Sequence, residues 1–491
     1  MKDLNYKTLE EMNYNGYLLE HAEEKVLQFG EGNFLRAFVD YFIDNLNEKA
    51  GFNGKVAIVQ PIAHGLTTLI NKQQGLYTLY LRGSENGEKM NKKRIISSVS
   101  RCINPYEEYA EFLKTAHNPA LRFIVSNTTE AGIVYDKDTQ FNQEPPVSYP
   151  GKLTRLMFER FSAKLPGFVV LSCELIANNG KELEKCVLRH AEEWNLGDDF
   201  VNWIKKENIF CSTLVDRIVT GYPRNEVDVI NQENGYVDNL VDTGEIFGFW
   251  VIEAPDSVGK ELGLDKCKLP IITVADQSPY KMRKVRILNG AHTSFVMAAY
   301  LSGQNIVRDC MHDEVIRSYM EKVIYSEVIP TIPLPEKELK DFASSVVDRF
   351  NNPFIDHQLL AICLNSTSKW KARVMPSLFD FVKANKRLPS AITFSFAAYL
   401  SFYRKGERMD GDALIARRGE EEYSIKDDQA VLDFFLAHHT DSNEELVRAI
   451  LDDTDFFGEE LKNLAGFREA VLRNLNLIDD KGMYETMRTL L

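Results

Sequence analysis

A lysine, an asparagine and a histidine stand close together in the run Lys284-Val285-Arg286-Ile287-Leu288-Asn289-Gly290-Ala291-His292. In an α-helix, at about 100° per residue, Lys284, His292 and Asn289 fall at about 0°, 80° and 140° around the axis, so they would face one site. A lysine amine exchanges a proton with an alcohol when burial and nearby cations favour its neutral form, and an asparagine amide stabilises a developing alkoxide. With His292 orienting the substrate or the lysine, the pattern predicts interconversion of a secondary alcohol and a ketone. The alternative is a solvated lysine, a capping asparagine and a hydrogen-bonded histidine that share no role.

Two further cations, Lys369 and Arg373, lie four residues apart in the run Asn365-Ser366-Thr367-Ser368-Lys369-Trp370-Lys371-Ala372-Arg373. Residues at this spacing lie one helical turn apart, so both side chains would reach the same small anion. An arginine binds a carboxylate through two parallel hydrogen bonds, whereas a lysine acts as a point charge. We therefore interpret Lys369 and Arg373 as a candidate site for a substrate carboxylate. The alternative is a solvated basic helix face.

Two glycines follow the first predicted strand in the run Gly30-Glu31-Gly32-Asn33-Phe34-Leu35-Arg36-Ala37. A Gly-x-Gly turn between a strand and a helix presents backbone N–H groups to a pyrophosphate, which is typical of dinucleotide sites. Leu35 replaces the third glycine of that fingerprint, so a plain tight turn is the alternative. The second predicted strand ends at Gln60, which could bond a ribose hydroxyl. That position has neither the acid typical of NAD sites nor the arginine typical of NADP sites, so these residues leave both cofactors open.

Apolar, β-branched runs alternate with helical spacings in the first half of the chain, which predicts a Rossmann-like, doubly wound parallel sheet. The predicted strands are 25–29, 56–60, 122–126, 168–172 and 271–274. After residue 278 helical spacing predominates, and the second half is expected to be helical. The expected domains are 1–277, which would bind a dinucleotide, and 278–491, which would bind the substrate and carry the catalytic groups. We expect the ligands in a cleft between the two.

Composition favours a small molecule as the partner. The chain has 491 residues, of which 44% are hydrophobic and 26% charged, so it is long enough for several globular domains. Its net charge of −14 disfavours nucleic acid and anionic membranes. The sequence contains no long apolar stretch typical of a membrane span or signal peptide, so a cytoplasmic location is expected. The 7 cysteines form no Cys-x-x-Cys pair, which favours reduced thiols. The oligomeric state is not predicted.

The chain resembles the polyol-specific long-chain dehydrogenases of the mannitol dehydrogenase family. The resemblance rests on the Lys-x4-Asn-x2-His helix behind a Gly-x-Gly domain, and it extends over most of the length. The segments that carry it include Leu27-Gln28-Phe29-Gly30-Glu31-Gly32-Asn33-Phe34, Ser126-Asn127-Thr128-Thr129-Glu130, Cys173-Glu174-Leu175-Ile176, Val215-Asp216-Arg217-Ile218 and Asn352-Pro353-Phe354-Ile355-Asp356-His357. Where polyol-oxidising relatives have Cys-Asp-Asn, this chain has Cys173-Glu174-Leu175, which favours the uronate-reducing branch of the family.

The resemblance implies a role for each candidate residue. It makes Lys284 the general acid/base, with Asn289 and His292 beside the reacting carbon, and it places Asp216 near the substrate with Lys369 and Arg373. The implied cofactor is NAD, and the implied cofactor-binding residues are Phe29, Gly30, Gly32, Asn33, Phe34, Gln60, Thr129 and Glu130. No metal is expected, and the sequence has no His-Glu-x-x-His motif. The expected substrate is a small sugar acid.

Two functions of other classes are weighed against the enzyme. A protein that only senses the redox state of nicotinamide would keep Gly30 and Gly32 but would not need Lys284, Asn289 and His292 together. A scaffolding protein would need no nucleotide site, and neither nicotinamide cofactor would raise its melting temperature. The coexistence of both sets of residues favours the enzyme.

Overall fold

The computed structural model describes residues 1–85, 87–129 and 131–491. They divide into two compact units, each described by itself below. The first unit is Met1–Arg82 with Met90–Gln277, and the second is Gly83–Lys89 with Ser278–Leu491. The segment Gly83–Lys89 lies within the range that the sequence analysis assigned to the first domain.

The strands found before residue 278 include all five that the sequence predicts, each within one residue at either end. They are β1 (Lys2–Asp3), β2 (Glu24–Phe29), β3 (Lys55–Val59), β4 (Tyr77–Glu85), β5 (Glu88–Ile96), β6 (Val99–Ile103), β7 (Phe123–Ser126), β8 (Val169–Ser172), β9 (Ile209–Asp216), β10 (Tyr236–Val237), β11 (Asp242–Glu245), β12 (Phe249–Glu253) and β13 (Ile271–Val274).

Eight of these strands form the main sheet, in the order β13-β12-β9-β8-β7-β2-β3-β6. All neighbouring pairs are parallel except β9 and β12, which are antiparallel with Asp216 opposite Phe249. The predicted doubly wound parallel sheet is therefore confirmed. The antiparallel pair joins two strands, β9 and β12, that were not among the predicted ones. Strands β3 and β6 lie on one side of β2 and β7 lies on the other, so the strand order reverses between β2 and β7. Ligands of open α/β sheets bind at such a reversal.

Helices cover both faces of the main sheet. The helices described in the first unit are α1 (Tyr6–Glu11), α2 (Asn33–Leu35), α3 (Tyr41–Ala50), α4 (Thr67–Lys72), α5 (Tyr109–Lys114), α6 (Tyr149–Ser162), α7 (Asn179–Glu193), α8 (Asp198–Glu207), α9 (Val227–Asn234) and α10 (Asp256–Leu262). Of these, α1 and α9 pack away from the main sheet, α1 against β5 and β10 and α9 against β4. Neighbouring residues of one strand enter different cores, as Val26 and Leu27 do. This alternation, with apolar residues on both faces, is what a sheet buried on both sides requires.

The second unit is mainly helical. Its helices are α11 (Ser278–Arg283), α12 (Gly290–Leu301), α13 (Val307–His312), α14 (Glu314–Glu321), α15 (Glu336–Phe350), α16 (Leu359–Ile362), α17 (Ser366–Arg373), α18 (Met375–Asn385), α19 (Ser390–Tyr403), α20 (Gln429–Ala437), α21 (Asn443–Asp452), α22 (Thr454–Lys462), α23 (Phe467–Lys481) and α24 (Met483–Arg488). Helices α12 and α19 pack against each other and are buried on nearly every side. Such uniformly apolar helices form the centre of a large helical core.

The second unit also contains a small sheet that the sequence analysis did not predict. Its strands are β14 (Gly406–Asp410), β15 (Ala413–Arg418) and β16 (Glu421–Ile425), and β15 is antiparallel to both neighbours. Charged residues interrupt all three strands, so no β-rich apolar run marks them. The expectation that this half is entirely helical is therefore wrong, although the mainly helical class is confirmed.

Within the described residues, three helical segments are wound as π-helices: Arg36–Asp40, Lys284–Asn289 and Lys322–Val328. Hydrogen bonds in a π-helix join residues five apart instead of four, and such segments occur frequently at functional sites. The first follows the glycine turn, and the second contains two of the predicted catalytic residues.

None of the helices in the three described ranges combines the length and the apolar content needed to cross a bilayer.

Candidate active site

The glycine turn lies at the carboxyl end of β2, next to the point between β2 and β7 where the strand order reverses. Gly30 has a φ of +126°, and a β-carbon placed there would lie 3.0 Å from Leu35 Cδ1 and 3.4 Å from the Asn127 carbonyl oxygen. Gly32 precedes α2, and a β-carbon on it would meet no atom within 4 Å. A glycine is therefore required at position 30, because φ is positive and Leu35 and Asn127 leave no room for a side chain. At position 32, the glycine leaves the space in front of the helix start open.

The helix that starts at Asn33 begins without a side-chain cap. It continues through the π segment into α3. Its first N–H groups are the unsatisfied donors that bind phosphate at helix N-termini. Leu35, which replaces the third glycine of the fingerprint, packs its side chain against Gly30. The missing glycine is thus compensated by a close contact inside the turn.

The loop after β7 forms the other wall of this switch point. Thr129 is exposed and has a φ of +68°, a left-handed conformation that is strained for a β-branched residue. Its neighbour Thr128 donates to Glu174 Oε1 from the backbone N–H at 3.0 Å and from the hydroxyl at 3.1 Å. Asn127 donates to the Cys173 carbonyl at 2.7 Å. The Cys173-Glu174 pair therefore holds the loop that carries Thr129.

Arg36 is buried beneath the glycine turn and connects several backbone segments. Its Nε donates to the Glu31 carbonyl at 3.2 Å, Nη1 to the Leu240 carbonyl at 2.6 Å and Nη2 to Asn33 Oδ1 at 2.5 Å. It also lies 4.0 Å from Asp242 Oδ2. Because a guanidinium presents its donors in a fixed plane, these bonds set the turn in one geometry.

A buried carboxyl, Asp40, belongs to the same network. Its Oδ2 accepts hydrogen bonds from Gln28 at 3.4 Å and from the Tyr77 hydroxyl at 3.3 Å, while Gln28 also donates to the Gly30 carbonyl at 3.1 Å. Burial raises the pKa of Asp40 from 3.8 to about 7, against the opposing effects of the hydrogen bond from Gln28 and the charge of Arg36. Burial likewise raises the pKa of Asp242 to about 7. The turn is therefore supported by carboxyls that titrate near neutral pH.

We expect Asp40→Asn to stabilise the protein more at pH 8 than at pH 5. Between about pH 4 and about pH 7 the folded state keeps a proton on Asp40 that the unfolded chain has released, so the stability of the wild type falls as pH rises through this window. Asparagine stays neutral and can still accept from Gln28 and Tyr77. The expected gain at pH 8 is about 2 kcal/mol in the free energy of unfolding, measured by denaturant titration.

Asp228→Asn is the matched control, because Asp228 is an exposed carboxylate of the same unit. It should leave the pH profile of stability unchanged. A lower stability of Asp40→Asn than of the wild type at pH 8 would show that the charged carboxylate is needed there.

The remaining predicted cofactor residues occupy different environments. Phe29 has its ring in the core between Phe112 and Tyr149, so only its backbone faces the turn. Phe34 stacks on Phe38 with ring centroids 5.2 Å apart. Asn33 accepts from Arg36, as described above. Glu130 lies outside the described residues.

Gln60 is buried, and both ends of its amide are engaged within its own loop. Its Nε2 donates to the Ile62 carbonyl at 2.8 Å, and its Oε1 accepts from the Thr67 hydroxyl at 2.7 Å. These bonds make Gln60 a support of the loop after β3. A ribose hydroxyl would have to share or replace one of them.

Asp216 is buried at the last position of β9. The next residue, Arg217, is also buried, donating to the Ala37 carbonyl at 2.6 Å and to the Phe247 carbonyl at 2.9 Å. Its guanidinium lies over the Tyr41 ring, 4.7 Å from the centroid. The Asp216-Arg217 step is thus fixed at the carboxyl end of the strand, the edge at which ligands of such sheets bind.

In the second unit, the π segment Lys284–Asn289 changes the angular relation that the sequence predicts. The Gly290 N–H bonds to the Val285 carbonyl, five residues earlier. In an α-helix the bonded residues i and i+4 share a face, and in a π-helix residues i and i+5 take that relation. Lys284 and Asn289 are such a pair. They therefore lie closer together around the axis than the 140° or so expected for an α-helix.

Gly290 lets this segment approach α17 closely. A β-carbon on Gly290 would lie 3.0 Å from the Arg373 carbonyl oxygen. Any larger residue would push the two helices apart. The glycine therefore brings the backbone next to Asn289 into contact with the end of the helix that carries Lys369 and Arg373.

His292 lies one turn further along, in an aromatic and cationic environment. Its ring stacks on Phe350 with centroids 4.0 Å apart, and it meets the His357 ring edge-on at 5.5 Å. Burial lowers the pKa of His292 well below its usual value, and His357, Arg349, Arg373 and Lys369 lower it further. The imidazole is therefore neutral at pH 7. Its Nε2 is buried with no hydrogen-bond partner in the described part of the chain.

Arg373 and Lys369 lie close enough to affect each other. Burial lowers the pKa of both, and the charge of Arg373 also lowers that of Lys369. The Lys369 ammonium donates to the Ile362 carbonyl at 2.9 Å. Across residues 1–85, 87–129 and 131–491, the half-buried guanidinium of Arg373 makes neither a hydrogen bond nor an ion pair. A half-buried cation with unused donors has the charge and the hydrogen-bonding groups to bind an anion.

Three residues of this environment were not predicted from the sequence: Arg349, Phe350 and His357. His357 belongs to a segment that carried the family resemblance, but no spacing links it to His292. Only the tertiary fold brings the two rings together. Within the described residues, no group of three or more His, Cys, Asp or Glu side chains is arranged to hold a metal ion.

Two family models match almost the whole chain. The mannitol dehydrogenase Rossmann domain matches residues 24–266, and the mannitol dehydrogenase C-terminal domain matches residues 276–479. The altronate oxidoreductase of Enterobacter sp. (strain 638) is 47% identical over 478 residues, which cover 95% of this chain and 97% of that protein. The altronate oxidoreductase of Escherichia coli (strain K12) is 46% identical over 495 residues, covering 99% of this chain and 100% of that protein.

Two solved structures share the fold. The mannitol 2-dehydrogenase of Pseudomonas fluorescens, in a ternary complex with NAD and D-mannitol, has a TM-score of 0.66 and 24% identity, covering 100% of this chain and 99% of that one. A substrate-free D-sorbitol dehydrogenase has a TM-score of 0.80 and 21% identity, covering 99% of this chain and 100% of that one. Taken with the family models and the nearly half-identical relatives, these matches show that the chain is an oxidoreductase belonging to the mannitol dehydrogenase family.

Proposed function

We propose that the chain catalyses the NAD-dependent interconversion of D-tagaturonate and D-altronate. In the direction of reduction, a hydride reaches the C5 ketone and a proton reaches its oxygen, giving the secondary alcohol. The observation that carries the choice of a sugar acid is the half-buried guanidinium of Arg373, which has no partner in the described residues. The proposal is supported by the altronate oxidoreductases, which are 46–47% identical over nearly the full length.

The first unit fits NAD at the β2–β7 switch point. Gly32 leaves the approach to the start of the helix open, and the uncapped N–H groups from Asn33 onward suit a pyrophosphate. Thr129, held by the loop that Glu174 anchors, would complete the wall. When bound as NADH, this cofactor supplies the hydride. NAD is favoured over NADP because the predicted ribose position has no arginine for a 2′-phosphate, and the fold is shared with the NAD complex described above.

Lys284 is the proposed proton donor for reduction and the proton acceptor for oxidation. In reduction the ammonium transfers its proton to the C5 oxygen as negative charge develops there, and it ends as the neutral amine. The π winding brings residues 284 and 289 to similar angles around the helix axis. This supports a role for the Asn289 amide, whose N–H would stabilise the same oxygen. His292, held neutral by its surroundings, would orient the sugar hydroxyls without adding a positive charge to those of Lys284, Lys369 and Arg373.

The substrate carboxylate would bind Arg373 through two parallel hydrogen bonds, with Lys369 as the second cation. A neutral polyol offers these groups no counter-charge. It would leave a half-buried cation pair without compensation. This difference favours a uronate over mannitol, and it is consistent with a place in galacturonate breakdown. Asp216 is proposed to contact the substrate, as its family position implies.

The alternatives within the family are fructuronate reductase and mannitol 2-dehydrogenase. Purified protein should be assayed with NADH or NADPH against tagaturonate, fructuronate and fructose, and the oxidation of the cofactor followed by absorbance. We expect the highest kcat/KM for tagaturonate with NADH, and fructose turnover at least about a hundredfold lower. Faster turnover of fructose than of tagaturonate would overturn the sugar-acid assignment. Faster turnover of fructuronate than of tagaturonate would instead assign the protein as a fructuronate reductase.

A further inference from the structure

The second unit contains a cavity lined by basic side chains, apart from the residues discussed so far. It has a volume of about 270 Å³, which is near the lower end for small-molecule sites. We call it the basic cavity. Its polar lining consists of Ser401, Arg404, Lys405, Arg417, Arg418 and Asp479. Four cations face one carboxylate there, in a chain whose net charge is −14.

Two of the four cations are neutralised by surface carboxylates. Arg417 lies 2.7 Å from Glu422, and Arg418 lies 2.9 Å from Glu421. Arg418 also donates to the Tyr300 carbonyl at 3.0 Å. These two arginines therefore form the wall of the cavity, and their charge is largely compensated.

The other two cations retain donors for a ligand. Lys405 makes no hydrogen bond or ion pair with any residue that the structure describes. Arg404 donates through Nη1 to Asn443 Oδ1, and its only carboxylate neighbour within the described residues is Asp479, at 3.5 Å. The rest of its guanidinium is uncommitted. A carboxylate or a phosphate is the group that an ammonium next to a guanidinium binds best.

The lining also offers a group that suits hydroxyls. The Asp479 side chain is 50% exposed. Its carboxylate oxygens accept hydrogen bonds from hydroxyls. A simple anion would be repelled by Asp479. A ligand that carries hydroxyl groups beside its charge would instead donate a hydrogen bond to it.

We propose that the basic cavity binds a small polyhydroxylated anion, either a sugar acid or a sugar phosphate, as a second ligand of the protein. Lys405 and Arg404 would bind the charged end, and Asp479 would accept a hydrogen bond from a hydroxyl. The cavity is distinct from the Arg373 site. Leu301, the last residue of α12, lines it, whereas Gly290 at the start of α12 contacts Arg373. A helix of that length spans about 18 Å.

Calorimetric titration of the full-length protein tests this proposal. The probes are D-gluconate, D-glucose 6-phosphate and inorganic phosphate at constant ionic strength, and the titrations use the Arg373→Gln protein so that the carboxylate site at residue 373 does not contribute. We expect one saturable site per chain for gluconate or glucose 6-phosphate, and binding of inorganic phosphate weaker by about tenfold because it lacks the hydroxylated carbon chain. Gluconate binding alone would identify a carboxylate ligand, and glucose 6-phosphate binding alone a phosphate ester.

Lys405→Glu, added to Arg373→Gln, should weaken this binding by more than about tenfold, since it replaces an attractive charge with a repulsive one. Lys383→Glu, an exposed lysine of the same unit outside the cavity, is the matched control and should have no effect. In an otherwise wild-type chain, Lys405→Glu should leave dehydrogenase activity unchanged. The proposal is overturned if none of the three probes binds saturably, or if Lys405→Glu binds them as tightly as its parent. Equal affinity for phosphate and both sugar anions would overturn the assignment of Asp479 to a ligand hydroxyl.

Discussion

Lys284→Met is expected to lower kcat for tagaturonate reduction by about a thousandfold. Methionine has a similar length and fills the same half-buried volume, but it carries no proton for the C5 oxygen. General acid/base groups contribute factors of this size to proton transfer. The affinity for NADH should remain within about twofold, because the glycine turn is untouched. Steady-state kinetics and a fluorescence titration of NADH measure the two quantities separately.

Lys281→Met is the matched control, because Lys281 is an exposed lysine one turn earlier, in α11. It should leave kcat unchanged. Turnover by Lys284→Met at the rate of the wild type would remove Lys284 from the proton transfer. A parallel loss of NADH affinity would instead indicate that the substitution disturbs the fold.

Arg373→Gln is expected to raise KM for tagaturonate by about a hundredfold while changing kcat much less. Glutamine keeps a hydrogen-bond donor but loses the positive charge and the bidentate geometry of the guanidinium. A charge-assisted pair between a guanidinium and a carboxylate contributes about 1.5–3 kcal/mol to binding. The loss should be specific to acids, so that the weak turnover of fructose stays the same or rises. Arg373→Lys should recover part of the affinity for tagaturonate, because it restores the positive charge but not the planar pair of donors.

Lys371→Gln serves as the control for this substitution. Lys371 lies on the same helix but is exposed, and its ammonium reaches toward the Asp455 carbonyl at 3.5 Å. KM for tagaturonate should not change. An equal rise in KM for tagaturonate and fructose in Arg373→Gln would show that Arg373 shapes the site without binding the carboxylate.

Much of the fold could be predicted because the relevant signals are local. The buried runs at Val56 and Phe123 are short and β-branched, and glycines follow β2, so strands and the nucleotide turn can be assigned from the sequence alone. The antiparallel strand β12 could not be predicted in this way. A buried strand has the same composition in either direction, and only its neighbours in the sheet fix its orientation.

The candidate site shows the same limit. Lys284, Asn289 and His292 share one short run, so their spacing alone predicts a shared site. The π winding of this run has no signal in the sequence. Nor does the close approach of Gly290 to the Arg373 backbone, which lies 83 residues away in the chain. His292 likewise contacts Phe350 and His357, which lie far from it in the sequence. Side chains that create the electrostatic environment of a site are therefore the part that sequence patterns reveal least.

We propose that the second unit binds a uronate through Arg373 and exchanges a proton with it through Lys284. A crystal structure of the protein with D-altronate and NAD would show both contacts. We expect the altronate carboxylate within hydrogen-bond distance of two guanidinium nitrogens of Arg373, and the C5 hydroxyl within about 3 Å of Lys284 Nζ. A carboxylate bound away from Arg373, or a C5 hydroxyl that meets a group other than Lys284, would contradict it.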